Sequence, residues 1–235
     1  MNIISYSLWG NHKVYTYGMI ENVIIAQELY PGWQVRIHYN DTVPEKIVSW
    51  LGKQTNVKLI KHTKSDDGRD SNMFWRFEEL FTNNTVLVRD SDSRLNKREK
   101  DMVDEWLASD KDFHIVRDHK DHKVPIMGGC FGVRNGICKP FFLQFHEYYT
   151  RMFDYESATS KENYNADQIF LGRLIYPNVV DKATIHASHN GWEDHAKKIE
   201  WPETGYCGEI IYDTPRASKV MGDAETTFER QRYFN

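Results

Sequence analysis

Apolar residues recur along the first half of the chain in two alternating rhythms. Ile3 to Tyr6 in "MNIISYSLWG" form a short apolar strand that breaks at Gly10. In "YTYGMIENVIIAQELYPGW", Ile20, Val23, Ile24 and Leu29 return at roughly helical spacing until Pro31-Gly32 ends the run. Val35, Ile37 and Tyr39 of "QVRIHYN" then alternate, as strand residues do. The order repeats. "VPEKIVSWLGKQ" predicts a helix entered through Pro44, "VKLIKH" a strand, "SNMFWRFEELF" a helix and "TVLVRD" a strand. "NKREKDMVDEWLAS" predicts a helix with Met102, Val103, Trp106 and Leu107 on one face, and "DFHIVRD" a further strand. Strands alternating with helices specify an α/β fold with a largely parallel sheet.

Past residue 120 the rhythm is less regular. "KVPIMGGCFGVRNG" holds four glycines among apolar residues, which excludes an ordinary helix. "FFLQFHEYYTRMF" and "NADQIFLGRLIY" predict helices, and "TPRASKVMGDAETTFERQRYFN" is expected to lie over the core as a loosely structured tail. With no internal repeat or low-complexity linker, the expectation is one domain over 1–235, with an elaborated carboxy-terminal half.

Composition narrows the function classes. Hydrophobic residues at 40% and charged residues at 27% fit a soluble globular protein. Aromatics reach 14%, enough to build flat platforms for sugars or bases as well as core. A net charge of −4 argues against a nucleic-acid partner, and the basic run Lys58 to Lys64 is expected to be a solvated turn. Cys130, Cys138 and Cys207 lack the paired spacing of a zinc site or disulfide scaffold, which points to a reducing, cytoplasmic setting. No segment approaches the roughly 20 apolar residues of a membrane span.

The chemistry concentrates where "TVLV" ends. Asp90 and Asp92 follow it in "RDSDSR", and Ser91, Ser93 and Asn96 mark the strand's end. Both carboxylates then lie beyond a carboxyl edge, where open α/β sheets bind ligands. Two carboxylates that close repel unless solvent or a cation intervenes. Mg²⁺ and Mn²⁺ accept such ligands together with substrate phosphates. The competing reading makes Asp92 or Ser93 the cap of the following helix, with Asp90 on the surface.

"FWRF", "VRDSDSR", "EWLAS", "FHIVRDHKDHKVPIMGG" and "ADQIFL" together resemble viral and bacterial glycosyltransferases of the GT-A fold, over roughly residues 1 to 190. The resemblance implies a Rossmann-like nucleotide-diphospho-sugar transferase with a mixed, mainly parallel central sheet flanked by helices. Residues 1–120 would form the nucleotide-binding half, and 121–235 the acceptor and sugar-binding half. It implies that Asp90 and Asp92 hold Mn²⁺ or Mg²⁺ against the diphosphate of a nucleotide sugar, UDP-linked by family analogy, with Ser91 near the nucleotide. Ser5, Tyr6 and Asn11 would cradle the nucleotide, with Tyr6 against the base or, equally on local sequence, in the core. Arg76 would offset phosphate charge or bind sugar hydroxyls, against the ordinary alternative of an ion pair. Arg94 would contact phosphate or brace the two aspartates. The loop at Gly128 and Gly129 would meet the donor sugar.

Asp167, at the head of "DQIFL", is the implied catalytic carboxylate: general base if the reaction inverts, donor positioning if it retains, or simply a helix cap. His186 is the expected third metal ligand by resemblance, and His189 is its rival in a loop. His119 and His122, beside Asp118 and Asp121, are read either as substrate contacts or as exposed loop residues. The expected partners are a nucleotide sugar and a saccharide or glycoconjugate acceptor, with either the Trp9-Gly10 loop or the residues after His186 closing over the donor. Two other classes compete. A haloacid-dehalogenase-type phosphatase also places D-x-D after a strand, but usually with Thr or Val where this chain has Arg94. A non-catalytic carbohydrate-binding protein would keep the aromatic cleft without turnover.

Overall fold

A computed structural model of the chain describes residues 1–62, 70–154 and 165–223. Its centre is an eight-stranded sheet: β1 (Asn2–Leu8), β2 (Gln34–Tyr39), β3 (Val57–Lys61), β4 (Thr85–Val88), β5 (Phe113–Arg117), β6 (Phe131–Val133), β7 (Ala183–Ala187) and β8 (Lys197–Lys198). The spatial order is β3-β2-β1-β4-β6-β5-β7-β8, and β6 alone runs against its neighbours. The mixed, mainly parallel sheet flanked by helices is therefore observed. Strands from both halves of the chain share this one sheet.

Alternation along β1 distributes side chains between two cores. Ile3 joins one with Val86, Val88 and Ile115, whereas Ile4, Tyr6 and Leu8 join the other with Ile20, Val23 and Trp106. The second core lies under α1 (Lys13–Leu29), α2 (Glu45–Leu51) and α3 (Lys97–Ala108). The first is covered by the segment Asp70–Phe81, by α4 (Phe142–Asp154) and by α5 (Ala166–Phe170), which runs on through a π turn to Val179.

Asp70–Phe81 is a 3₁₀ helix where the sequence predicts an α-helix. Three residues per turn stack i on i+3. Phe74, Phe77 and Leu80 thus form one row, each fully buried in the first core. Burying each such side chain contributes about 1.5–3 kcal/mol. Met73, Arg76 and Glu79 form the next row, so the core anchors the turn that aims Arg76.

The carboxy-terminal region is more ordered than expected. β7 forms from "ATIHA", for which the sequence predicts no element, and α6 (Pro215–Met221) packs on α1 through Ala217. The Ala217 N–H donates to Glu21 Oε1 at 2.8 Å. Residues 224–235 of the expected tail, and Thr63 and Lys64 of the basic run, lie outside the described residues. Cys130, Cys138 and Cys207 are buried and unpaired as disulfides. Among the described residues, no helix is long and apolar enough to cross a membrane.

Candidate active site

β1 and β4 are adjacent parallel strands, and where the chain leaves their carboxyl ends a cavity of about 670 Å³ opens. That volume suits a small-molecule ligand. The lining comes from the β1–α1 loop between Trp9 and His12, Arg76 on the 3₁₀ helix, Asp90 to Asp92 after β4, His122 after β5, Met127 to Cys130 before β6, Asp167 and Gln168 on α5, and Gly208 with Ile210 near the carboxy terminus.

Arg76 ties the lining together. Its Nη2 donates to Asp167 Oδ2 at 3.1 Å, and its Nη1 pairs with Asp90 Oδ1. Burial, the largest influence, opposes the guanidinium charge, but Asp90 and Asp167 outweigh it and hold the group above its ordinary range. The first strand grips the same turn: Ser5 Oγ donates to the Arg76 carbonyl at 2.9 Å, and the Arg76 N–H donates to Ser7 Oγ at 3.0 Å.

The Asp90–Asp92 loop is braced from behind. Ser93 Oγ donates to the Asp90 carbonyl at 2.9 Å. Arg94 donates to the carbonyls of Ser93 at 2.8 Å and Ile211 at 2.9 Å, and it does not line the cavity. Gly18 permits this approach, since a Cβ there would fall on the Ser91 carbonyl and 2.7 Å from Arg94 Nη1. Asn96 caps α3, its side chain accepting from the Glu99 N–H at 2.8 Å. The helix-cap reading of Asp92 and Ser93 is therefore removed.

Charge in the cavity is lopsided. Asp90, Asp92 and Asp167 face it, and Arg76 is the sole guanidinium or ammonium among its described lining residues. Asp92 is pushed up to about 7, first by burial and then by Asp90. Burial also raises Asp167, with Arg76 pulling the other way. Carboxylates so crowded fit a hard divalent cation, which removes their repulsion and favours the ionised form. Asp90 and Asp92 are the residues placed to hold one.

The two glycines that precede β6 are required by contact. A Cβ on Gly128 would lie 2.5 Å from Asp167 Oδ2, and one on Gly129 would fall on the Asp90 carboxylate. Their backbones thus back the two acids directly. Gly208, at φ +83°, lets the carboxy-terminal segment close against Cys130.

Asn11, Arg76, Asp90, Ser91, Asp92, Gly128, Gly129 and Asp167 are brought together as the sequence reading expects. Others are not. Tyr6 is fully buried in the core beneath α1, so its ring is not presented to a base. Ser5 is equally buried and acts on the Arg76 backbone; Ser7, one repeat further along the strand, reaches the cavity instead. His186 does not line the cavity. It sits within β7, its Nδ1 3.0 Å from His114 Nε2 and its Nε2 3.4 Å from Glu105 on α3. Strand alternation, which sends Ile185 into the core, turns His186 toward α3. His189 borders a separate hollow with Ser188 and Lys198.

His122, in the loop between β5 and β6, does line the cavity. Its Nδ1 accepts from the Asp118 N–H at 3.0 Å, so the neutral ring carries its proton on Nε2. Burial, then His119, pulls its pKa down to about 4. His119 stacks on Tyr206 at 4.2 Å. Asp118 is fully buried in a two-bond pair with Arg98, at 2.8 and 2.9 Å, and Asp121 is exposed. The sequence reading also misses His12, Tyr15, Gly208 and Ile210. The glycine at Gly208 is the one local signal for the last pair.

No protein-family model and no curated protein sequence matches the chain. Among solved structures it is similar to the mannosyltransferase PcManGT from Pyrobaculum calidifontis in complex with GDP-Man and Mn²⁺, at 13% identity and a TM-score of 0.45. That likeness covers 87% of this chain and 58% of the other.

Proposed function

We propose that the chain is a metal-dependent glycosyltransferase of the GT-A type, acting on a nucleoside-diphosphate sugar that the sequence resemblance makes UDP-linked. The observation that carries this reading is the cavity at the β1 and β4 carboxyl ends, in which Asp90, Asp92 and Asp167 converge on Arg76. A bound divalent cation there would supply charge neutralisation for a departing diphosphate.

The chain's own residues divide the remaining work. Arg76, already buried and aimed, presents a positive charge to phosphate oxygens without having to reorganise. Ser7 and the Trp9–His12 loop form the wall nearest the first strand, which suits a nucleoside. Asp167 faces the same space, and burial makes it a stronger base than an exposed aspartate. It would accept the acceptor hydroxyl's proton or position the donor sugar. His122 offers an Nε2–H donor to a hydroxyl.

The test is a nucleotide-sugar panel with saccharide acceptors, with and without Mn²⁺, followed by mass spectrometry. Transfer or slow donor hydrolysis that requires Mn²⁺ and is lost in Asp90→Ala and Asp92→Ala is expected. Binding without either reaction would make the chain a carbohydrate-binding protein instead. Phosphate release from simple phosphomonoesters would favour the phosphatase chemistry.

A further inference from the structure

We propose that His38, His62 and Glu78 form a second divalent-cation site, of zinc-like preference, separate from the acidic cavity. None of the three lines that cavity. One ligating atom from each lies within 4.8 Å of the others. His38 Nδ1 and His62 Nε2 are 2.9 Å apart, and Glu78 Oε2 is 3.9 Å from His38 Nδ1. Zn–N bonds of about 2.0 Å set ligand atoms about 3.3 Å apart in a tetrahedral site. The two nitrogens need only part slightly, and Glu78, with a side chain 44% exposed, has room to swing inward.

The surroundings fix which nitrogen of His38 is available. Its Nε2 is buried without a hydrogen-bond partner and faces Glu79 Oε1 at 3.7 Å. A proton on Nε2 is therefore favoured by the Glu79 carboxylate, and Nδ1 keeps its lone pair. Glu79 is itself held by Arg36. A carboxylate behind a ligating histidine orients it when the two hydrogen-bond; here the 3.7 Å contact is electrostatic, and a small shift of Glu79 would close it. Without a cation, His62 satisfies the His38 lone pair by donating its Nε2–H. With one, His62 carries its proton on Nδ1, which lies 4.0 Å from Glu78 Oε1. Burial, then His38, pulls His62 down to about 4, whereas burial raises Glu78. A nitrogen-rich set with one carboxylate suits zinc-class ions, whereas Asp90 and Asp92 suit Mg²⁺ or Mn²⁺.

The site would join the carboxyl ends of β2 and β3 to the 3₁₀ helix that carries Arg76. His62 stacks on Trp75 with centroids 4.5 Å apart, and Trp75 meets Trp9 of the cavity wall edge-on at 6.5 Å. Occupancy would thus stiffen the support of that wall.

The experiment titrates the full chain with Co²⁺, without nucleotide, and reads visible absorption. Low-coordinate nitrogen ligation gives intense bands, while octahedral carboxylate–water ligation is nearly colourless. The expected result is a band that saturates at one equivalent and is displaced by Zn²⁺. It should vanish in His62→Ala, need at least about tenfold more Co²⁺ in Glu78→Gln, and persist in Asp92→Ala. No band in the wild type, or a band that Glu78→Gln leaves unchanged, overturns the site. Glu78→Gln alone decides if His62→Ala fails to fold, because Glu78 is an exposed residue.

Discussion

The carboxylate of Asp90 occupies the space in which a side chain on Gly129 would lie. The proposed metal-binding geometry is therefore set partly by a missing atom. Gly129→Ala must displace Asp90 or the loop, at an overpacking cost of about 1–3 kcal/mol. Mn²⁺-dependent donor binding should weaken roughly 5- to 150-fold, with circular dichroism unchanged. Gly172→Ala is the control, since its Cβ would meet Pro125 at an ordinary 3.7 Å. Calorimetry of donor binding to both variants checks this. Equal affinities would separate Asp90 from the cation.

Much of this was legible in the sequence because it obeys local rules. Alternation in Val35, Ile37 and Tyr39 and the abrupt end of "TVLV" place strands and carboxylates without knowledge of the rest of the fold. The misses share a different cause. The resemblance points to Ser5 and Tyr6 as nucleotide contacts, with the core as the equal alternative for Tyr6, but their faces are set by what packs on each side of the sheet, and Tyr6 lies in the core. His186 needs the strand character of "ATIHA", which is too short to show a period and forms by pairing with β5 and β8. Arg89 is legible in no pattern at all. It is buried at the end of β4, its Nε 2.7 Å from Glu99, and it donates to the Val88 and Phe131 carbonyls.

That buried pair yields a stability prediction. Both Arg89 and Glu99 are almost wholly enclosed, so removing one leaves the other charge unpaired. Glu99→Ala should cost about 3–5 kcal/mol in urea denaturation. Arg89→Met combined with Glu99→Leu should recover part of this but not all, because two carbonyls lose their donor. A loss below 1 kcal/mol for Glu99→Ala would mean that solvent reaches the pair.

The raised Asp92 pKa gives a pH dependence with a definite sign. An acid whose folded-state pKa lies near 7, against about 4 unfolded, binds its proton more tightly when folded. Stability from this group is complete below about pH 4 and is lost as pH rises toward 7. Metal-free protein should therefore lose thermal stability across that window, and Asp92→Asn should flatten the slope. Cation binding runs the opposite way, because it needs the carboxylate ionised. Mn²⁺ affinity should fall about 30-fold between pH 8 and 5.5 if one proton competes. An affinity flat over that range would place Asp92 outside the cation's ligands.

The Arg76–Asp167 contact sets up the last prediction, which separates chemistry from binding. Asp167 uses both oxygens: Oδ2 accepts from Arg76 at 3.1 Å and Oδ1 from the Gln168 N–H at 2.8 Å. Asp167→Asn keeps the volume but turns one acceptor into a donor, so one of these bonds must be lost. Keeping the Gln168 bond leaves an amide N–H facing Arg76, which Asp90 still holds. Mn²⁺-donor affinity should then change by less than about threefold, while transfer falls by about 100-fold, as loss of general-base capacity predicts. The measurement is single-turnover transfer at saturating donor and acceptor. A role confined to orienting Arg76 predicts something else: Arg76→Lys, which loses the two-pronged fork, would slow transfer as much as Asp167→Asn, and the double variant would be no slower than either. Independent roles predict losses that multiply. If folded Asp167→Asn transfers within threefold of wild type, the base is another group, and His122, whose proton sits on Nε2, is a donor to the cavity rather than its replacement.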